Sequence, residues 1–180
     1  MKRFFAAWVV GMSLITGLSA QEVRITSQER SAKKTINVVV FLSVDCPISQ
    51  KYMGVLNDLA KQYSTQILIQ GIIPGATSRK EVKAFKKEYQ PTFTVETDPA
   101  YHWTDNLKPG VTPEAFLFDQ HGNLKYQGAI DNWFYDLGSY RQQTTENYLK
   151  DALDAVLKGA EPAVKKTAAI GCIIEKRIKK

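Results

Sequence analysis

The chain is poor in the side chains that carry most metal and disulfide chemistry: its 180 residues include only 2 cysteines, 2 histidines and 3 methionines. Two cysteines allow one intramolecular disulfide with a single possible pairing, Cys46 with Cys172. No Cys-x-x-Cys is present, because Ser49 stands where the second thiol would complete it. Charge of one sign is also scarce. There are 24 basic and 18 acidic residues, and losing Lys2 and Arg3 with the first twenty residues leaves 22 against 18, a formal charge of +4. That excess is too small to point to nucleic acid. The sequence contains no internal repeat, low-complexity tract or second domain.

The first twenty residues hold a basic start (Lys2, Arg3), an apolar stretch from Phe4 to Leu18 and small residues before Gln21, the pattern of a secretory signal peptide. A membrane span needs about 20 apolar residues, and this run is interrupted by Gly11, Ser13 and Gly17. The expectation is an exported protein, periplasmic or extracellular, in a compartment that permits disulfides. Residues 21–33 form a polar lead-in and residues 34–160 one domain. Residues 161–180 form a basic tail carrying Cys172, solvated or in weak contact with a membrane surface, while the short apolar patch around Cys172 is suited to dock on the domain.

Within the domain, Ile36 to Val44 is apolar and rich in β-branched residues, as in a strand buried on both faces. Pro47 suits the first turn of a helix, and Tyr52, Met53, Val55, Leu56, Leu59 and Ala60 continue it at helical spacing to about Tyr63. The alternation repeats with "QILIQGII" as a strand and Ser78 to Tyr89 as a helix facing inward with Val82, Phe85 and Tyr89. A short strand "TFTVET" and a short helix from Pro99 to Leu107 follow. The segments "EAFLFD" and "LKYQGAI" flank the turn "QHGN" as a hairpin. An aromatic loop, "DNWFYDLGSY", leads to a last helix from Thr145 to Leu157, ended by Gly159. Strands alternating with helices predict an α/β fold.

The segments "VVVFLSVDCPIS", "GVTPEAFLFDQHGNLKYQG" and "YLKDALDAVL" make the chain from about Lys34 to Leu157 resemble the thioredoxin fold. More narrowly it resembles the redoxin branch, which contains the alkyl hydroperoxide reductase and thiol-specific antioxidant proteins and exported thiol-disulfide oxidoreductases. A bacterial subgroup of redoxin-domain proteins is similar in "DCPISQKY", "TPEAFLFD", "GAID" and a late "AIGC". The resemblance implies a three-layer sandwich, a mixed central sheet with helices on both faces. Two positions depart from the family patterns. Val39 occupies the proline position of the peroxiredoxin Pro-x-x-x-Thr-x-x-Cys pattern, where Ser43 stands in for the threonine, and Ser49 replaces the second thioredoxin cysteine.

Cys46 is the expected nucleophile, at the N-terminus of the helix that Pro47 opens, where free N–H groups and the helix dipole favour a thiolate. Adjacent Asp45 opposes that effect. Ser49, one turn on, is placed to donate to the sulfur. By resemblance, Pro113 is cis and lies beside the cysteine, and Thr112 offers its backbone to an extended substrate strand. Cys172, in "TAAIGCIIEK" beside Gly171, is the expected resolving thiol, its thiolate favoured by the neighbouring basic residues; a structural bridge and a separately acting thiol remain open. Arg141 is a candidate to orient substrate or steady the thiolate, and Trp133, Phe134 and Tyr135 to line an approach to the site.

The activity expected is that of a thiol-disulfide oxidoreductase or peroxiredoxin-like thiol peroxidase without metal or organic cofactor. Its substrate would be a thiol or disulfide protein, or a peroxide, and a thiol would supply the reducing equivalents. The alternatives are a binding module holding Cu(I) with Cys46, Cys172 and His102, and an accessory domain with a permanent disulfide. His121 reads as a polar residue of the hairpin turn.

Overall fold

A computed structural model describes residues 35–175. The predicted signal peptide and lead-in, and the basic residues of 176–180, lie outside the described residues. The fold is built on β1 (Ile36–Phe41), a strand buried along almost its whole length. Its side chains alternate: Val38 and Val40 enter the larger apolar cluster on one face, and Val39 and Phe41 the smaller cluster on the other. Each buried valine contributes about 1.5–3 kcal/mol of transfer free energy, so β1 is held from both sides.

Crossover helices make the neighbouring strands parallel. Helix α1 (Pro47–Gln62) opens on proline and buries Ile48, Ser49, Tyr52, Met53, Leu56 and Leu59. Strand β2 (Ile67–Pro74) then pairs parallel with β1, Ile36 opposite Ile67 and Phe41 opposite Ile72. Helix α2 (Arg79–Tyr89) starts with a capping box, in which Ser78 and Glu81 each bind the other's backbone N–H. Strand β3 (Thr94–Asp98) extends the sheet in parallel beyond β2.

Helix α3 (His102–Leu107) lays Trp103 and Leu107 on the smaller cluster. Two-residue β4 (Val111–Thr112) leads into β5 (Glu114–Phe118), which runs antiparallel to β1 and forms a hairpin with β6 (Leu124–Gly128). The five-stranded order is β3-β2-β1-β5-β6. Helix α4 (Tyr148–Leu157) buries Leu149, Ala152 and Leu153 on the same face as α1. The two helices are tied there by a hydrogen bond from the Tyr63 hydroxyl to Asp154 (2.6 Å). With α1, α2 and α4 on one face and α3 on the other, the sheet is the middle of three layers, as the sequence predicts.

Two segments differ from expectation. The aromatic loop folds on itself as β7 (Phe134–Asp136) and β8 (Ser139–Tyr140). Helix α4 begins at Tyr148, later than about Thr145, because Leu149 N–H donates to the Ile130 carbonyl (3.0 Å) instead of to Thr145, and the Glu146 carbonyl accepts from Asn132 N–H (3.1 Å). The segment after α4 is packed along the domain: Gln127 exchanges backbone hydrogen bonds with Lys165 and Thr167 (both 3.0 Å). The Thr167 hydroxyl meets Tyr126 (2.6 Å) and accepts from Ala129 N–H (2.9 Å). The chain then reaches β9 (Cys172–Ile173), antiparallel to β4. Among the described residues no helix is long and apolar enough to cross a membrane.

Candidate active site

Cys46 sits at the N-cap of α1 with extended backbone (φ −83°, ψ 113°), and its carbonyl accepts the first helical bond from Gln50 N–H (3.0 Å). The loop between β1 and α1 is pinned by Gln50 Nε2, which donates to the Val44 carbonyl (2.7 Å). Ser43 takes part through its main chain: its N–H donates to Ser49 Oγ (3.3 Å) and its carbonyl accepts from Cys46 N–H (3.4 Å). Pro47 is exposed, whereas Ser49 is buried beneath the cysteine. These contacts hold the sulfur at the tip of α1, where helix geometry leaves backbone N–H groups unpaired.

Across from Cys46 lies Thr112, joined to Pro113 by a cis peptide bond. The Cys46 thiol donates to the Thr112 carbonyl at 3.1 Å. The tail closes the site from the other side. Thr112 pairs with Cys172 and Val111 with Ile173, the Thr112 hydroxyl donates to the Cys172 carbonyl (3.5 Å), and Ile174 N–H donates to the Gly110 carbonyl (3.4 Å). Cys46 is left 1% exposed. Both cysteines are free thiols, and both meet Thr112, the Cys46 thiol at its carbonyl and Cys172 through backbone pairing.

The two sulfurs differ electrostatically. Burial pushes the Cys46 thiol up, but hydrogen bonds from the Cys172 thiol, the Ser49 N–H and hydroxyl, and the Cys172 N–H outweigh it and bring the group below its ordinary range. Cys172 moves the opposite way, to about 12, through burial first and then through donation to Cys46 and the nearby negative charge. The expectation that basic neighbours would favour a Cys172 thiolate is corrected here. Its surroundings are dominated by desolvation and by the partner sulfur, so it is the proton donor of the pair.

The remaining predicted residues fall elsewhere. His102 is exposed at the start of α3, and among the described residues no three His, Cys, Asp or Glu side chains converge into a metal-holding group. His121 lies in the hairpin turn, its N–H bound to Asp119 (2.8 Å). Arg141 donates to the Asn132 carbonyl (2.7 Å) and lies over the Tyr135 ring at 5.2 Å, so it braces the aromatic loop. Trp133 and Phe134 pack on Tyr52 of α1 with centroids 5.5 and 5.7 Å away, and Tyr135 faces solvent.

Sequence reasoning missed one buried pair. Tyr52 donates to Asp131 at 2.5 Å, and the same carboxylate oxygen accepts Trp133 N–H (2.8 Å). Burial raises both acids, Asp131 most against the bonds that favour its charge. The pair lines a small cavity with Pro113, Ala129, Ile130, Phe134 and Ile170, directly behind the Thr112–Pro113 turn. The signal was available: Tyr52 closes "DCPISQKY" and Asp131 closes "GAID", so the two motifs are joined by this bond.

No protein-family model matches the sequence, and no curated protein matches it. Solved structures do. An uncharacterised conserved protein from Geobacillus kaustophilus is 22% identical, with 82% of this chain and 80% of that one covered and a TM-score of 0.71. A hypothetical protein from Sinorhizobium meliloti 1021 is 25% identical over 78% of this chain and 79% of its own, with a TM-score of 0.68. The solution structure of a thioredoxin-like protein in the oxidised form is 16% identical over 76% of this chain and 86% of its own, with a TM-score of 0.57. Strand order, layer arrangement and these likenesses together give the chain a thioredoxin-like fold.

Proposed function

We propose that the protein is an exported thiol-disulfide oxidoreductase in which Cys46 is the nucleophile and Cys172 the resolving thiol. The observation that carries this reading is geometric: Cys46 at the start of α1 and Cys172 on β9 both meet Thr112, the first through its thiol and the second through backbone pairing, with the Cys46 thiol brought below its ordinary range and that of Cys172 raised above it. The Cys46 thiolate attacks one sulfur of a substrate disulfide, forming a mixed disulfide and expelling the other sulfur as a thiolate, which takes up a proton. Loss of the Cys46 negative charge removes two of the three influences that hold the Cys172 proton. Cys172 then ionises more readily and attacks Cys46 Sγ, closing the Cys46–Cys172 disulfide and releasing the substrate's second sulfur. The substrate disulfide is thereby reduced by two electrons as the dithiol is oxidised, and an external thiol restores the dithiol.

Ser49 steadies the thiolate, the Thr112 carbonyl accepts from Cys46 only while that thiol keeps its proton, and the step uses no metal or organic group. The test is reduction of a model protein disulfide by the full mature chain. Cys46→Ser abolishes turnover, whereas Cys172→Ser accumulates a mixed disulfide at Cys46. Faster consumption of hydrogen peroxide than of any disulfide, still dependent on Cys46, would assign the same two thiols to a peroxidase instead. Turnover unaffected by Cys46→Ser would remove both readings.

A further inference from the structure

The substrate edge beside Cys46 is already occupied. Residues of β9 lie on β4 as an extended antiparallel strand, with a cysteine at the position facing Cys46. The strand's side chains alternate as a bound peptide's would. Ile170 packs into the cavity behind Pro113, Cys172 turns in to the reactive sulfur, Ile173 points to solvent at 83% exposure, and Ile174 packs on the smaller apolar cluster. The position before the cysteine is the most constrained. A Cβ on Gly171 would stand 2.2 Å from the Thr112 carbonyl oxygen and 2.6 Å from its carbonyl carbon, both of them backbone atoms that cannot swing aside.

We propose that the β4 edge reads an extended cysteine-bearing strand with glycine immediately before its cysteine, an apolar residue just before that glycine and a second apolar residue two positions after the cysteine, and that residues 170–174 occupy the edge as a built-in copy of such a substrate. This inference rests on the exchange reading above and adds the identity of the strand that is exchanged. It has a mechanistic consequence: substrate strand and resolving strand share one edge. The tail therefore leaves β4 when a protein substrate docks and returns with Cys172 to resolve the mixed disulfide.

The probes are two peptides, AIGCII and the same peptide with alanine in place of glycine, each activated at its cysteine as a thionitrobenzoate disulfide. Attack by Cys46 on the peptide sulfur forms the Cys46–peptide disulfide and releases coloured thionitrobenzoate, whose initial rate is read with the reduced, full mature chain. The glycine peptide is expected to react at least tenfold faster than the alanine peptide. In full-length Gly171→Val, whose own tail can no longer seat, the glycine peptide is expected to accelerate further. Equal Cys46-dependent rates for the two peptides overturn the inference and leave the exchange reading standing. Release no faster than from Cys46→Ser, for either peptide, overturns the exchange reading itself. The comparison on the wild-type chain decides the matter even if Gly171→Val does not fold, and an unchanged glycine-peptide rate in folded Gly171→Val overturns the shared edge.

Discussion

At the scale of single residues, the ionisation of Cys46 depends on a few donors working against burial. Ser49 is the donor most easily removed, because its side chain is small, buried and held in place by the Ser43 N–H at 3.3 Å. In Ser49→Ala the Cys46 thiol moves up toward its ordinary range, so the midpoint of its pH-dependent alkylation by iodoacetamide shifts to higher pH. One hydrogen bond is worth about 0.5–1.5 kcal/mol net, so alkylation at neutral pH slows by roughly two- to tenfold. An unchanged pH profile in the folded variant would contradict the assignment. The placement of Ser49 beside Cys46 was legible in the sequence because it lies one helical turn on. The direction of Cys172 was not, because nearby lysines in sequence say nothing of a sulfur that the fold buries against a second sulfur.

Among the elements, the long ones were readable and the short ones were not. The β-branched run of β1 and the proline-led helix after it carry period and cap signals over many residues. Strands β4 and β9 are two residues each, too short for any period, and their partnership is set by tertiary approach at Gly171 and at Gly128. Gly128 lets the tail cross the end of β6: its φ is +142°, and a Cβ there would stand 2.3 Å from the Thr167 carbonyl oxygen. Gly128→Ala is therefore expected to lower stability by about 1–3 kcal/mol in denaturant titrations. Lifting the tail should also raise Cys46 alkylation relative to the parent protein. A variant with parental stability and parental alkylation would show that the tail does not depend on this crossing. The late start of α4 has the same origin, since Ile130 and Asn132 take the Leu149 N–H and the Glu146 carbonyl that an earlier start would use within the helix.

In the whole molecule, a three-layer domain places the Cys46 sulfur at the head of α1, and residues after α4 return along β6 to β4 to cover it. The two cysteines are separated by almost the full domain in sequence, so a bond between them closes a loop of more than 100 residues. Loop entropy gives that bond on the order of 4–5 kcal/mol of stability, and the oxidised form accordingly unfolds at higher denaturant than the reduced form. The same tail thus links redox state, stability and access to the site. The measurement that tests this account most directly is non-reducing peptide mapping of the mature chain across a series of thiol and disulfide buffers. The account predicts one cross-linked peptide pair, Cys46 with Cys172, that forms and disappears reversibly as a single two-electron step. Two cysteines that never pair, or a bond that forms once and resists every thiol buffer, would contradict it.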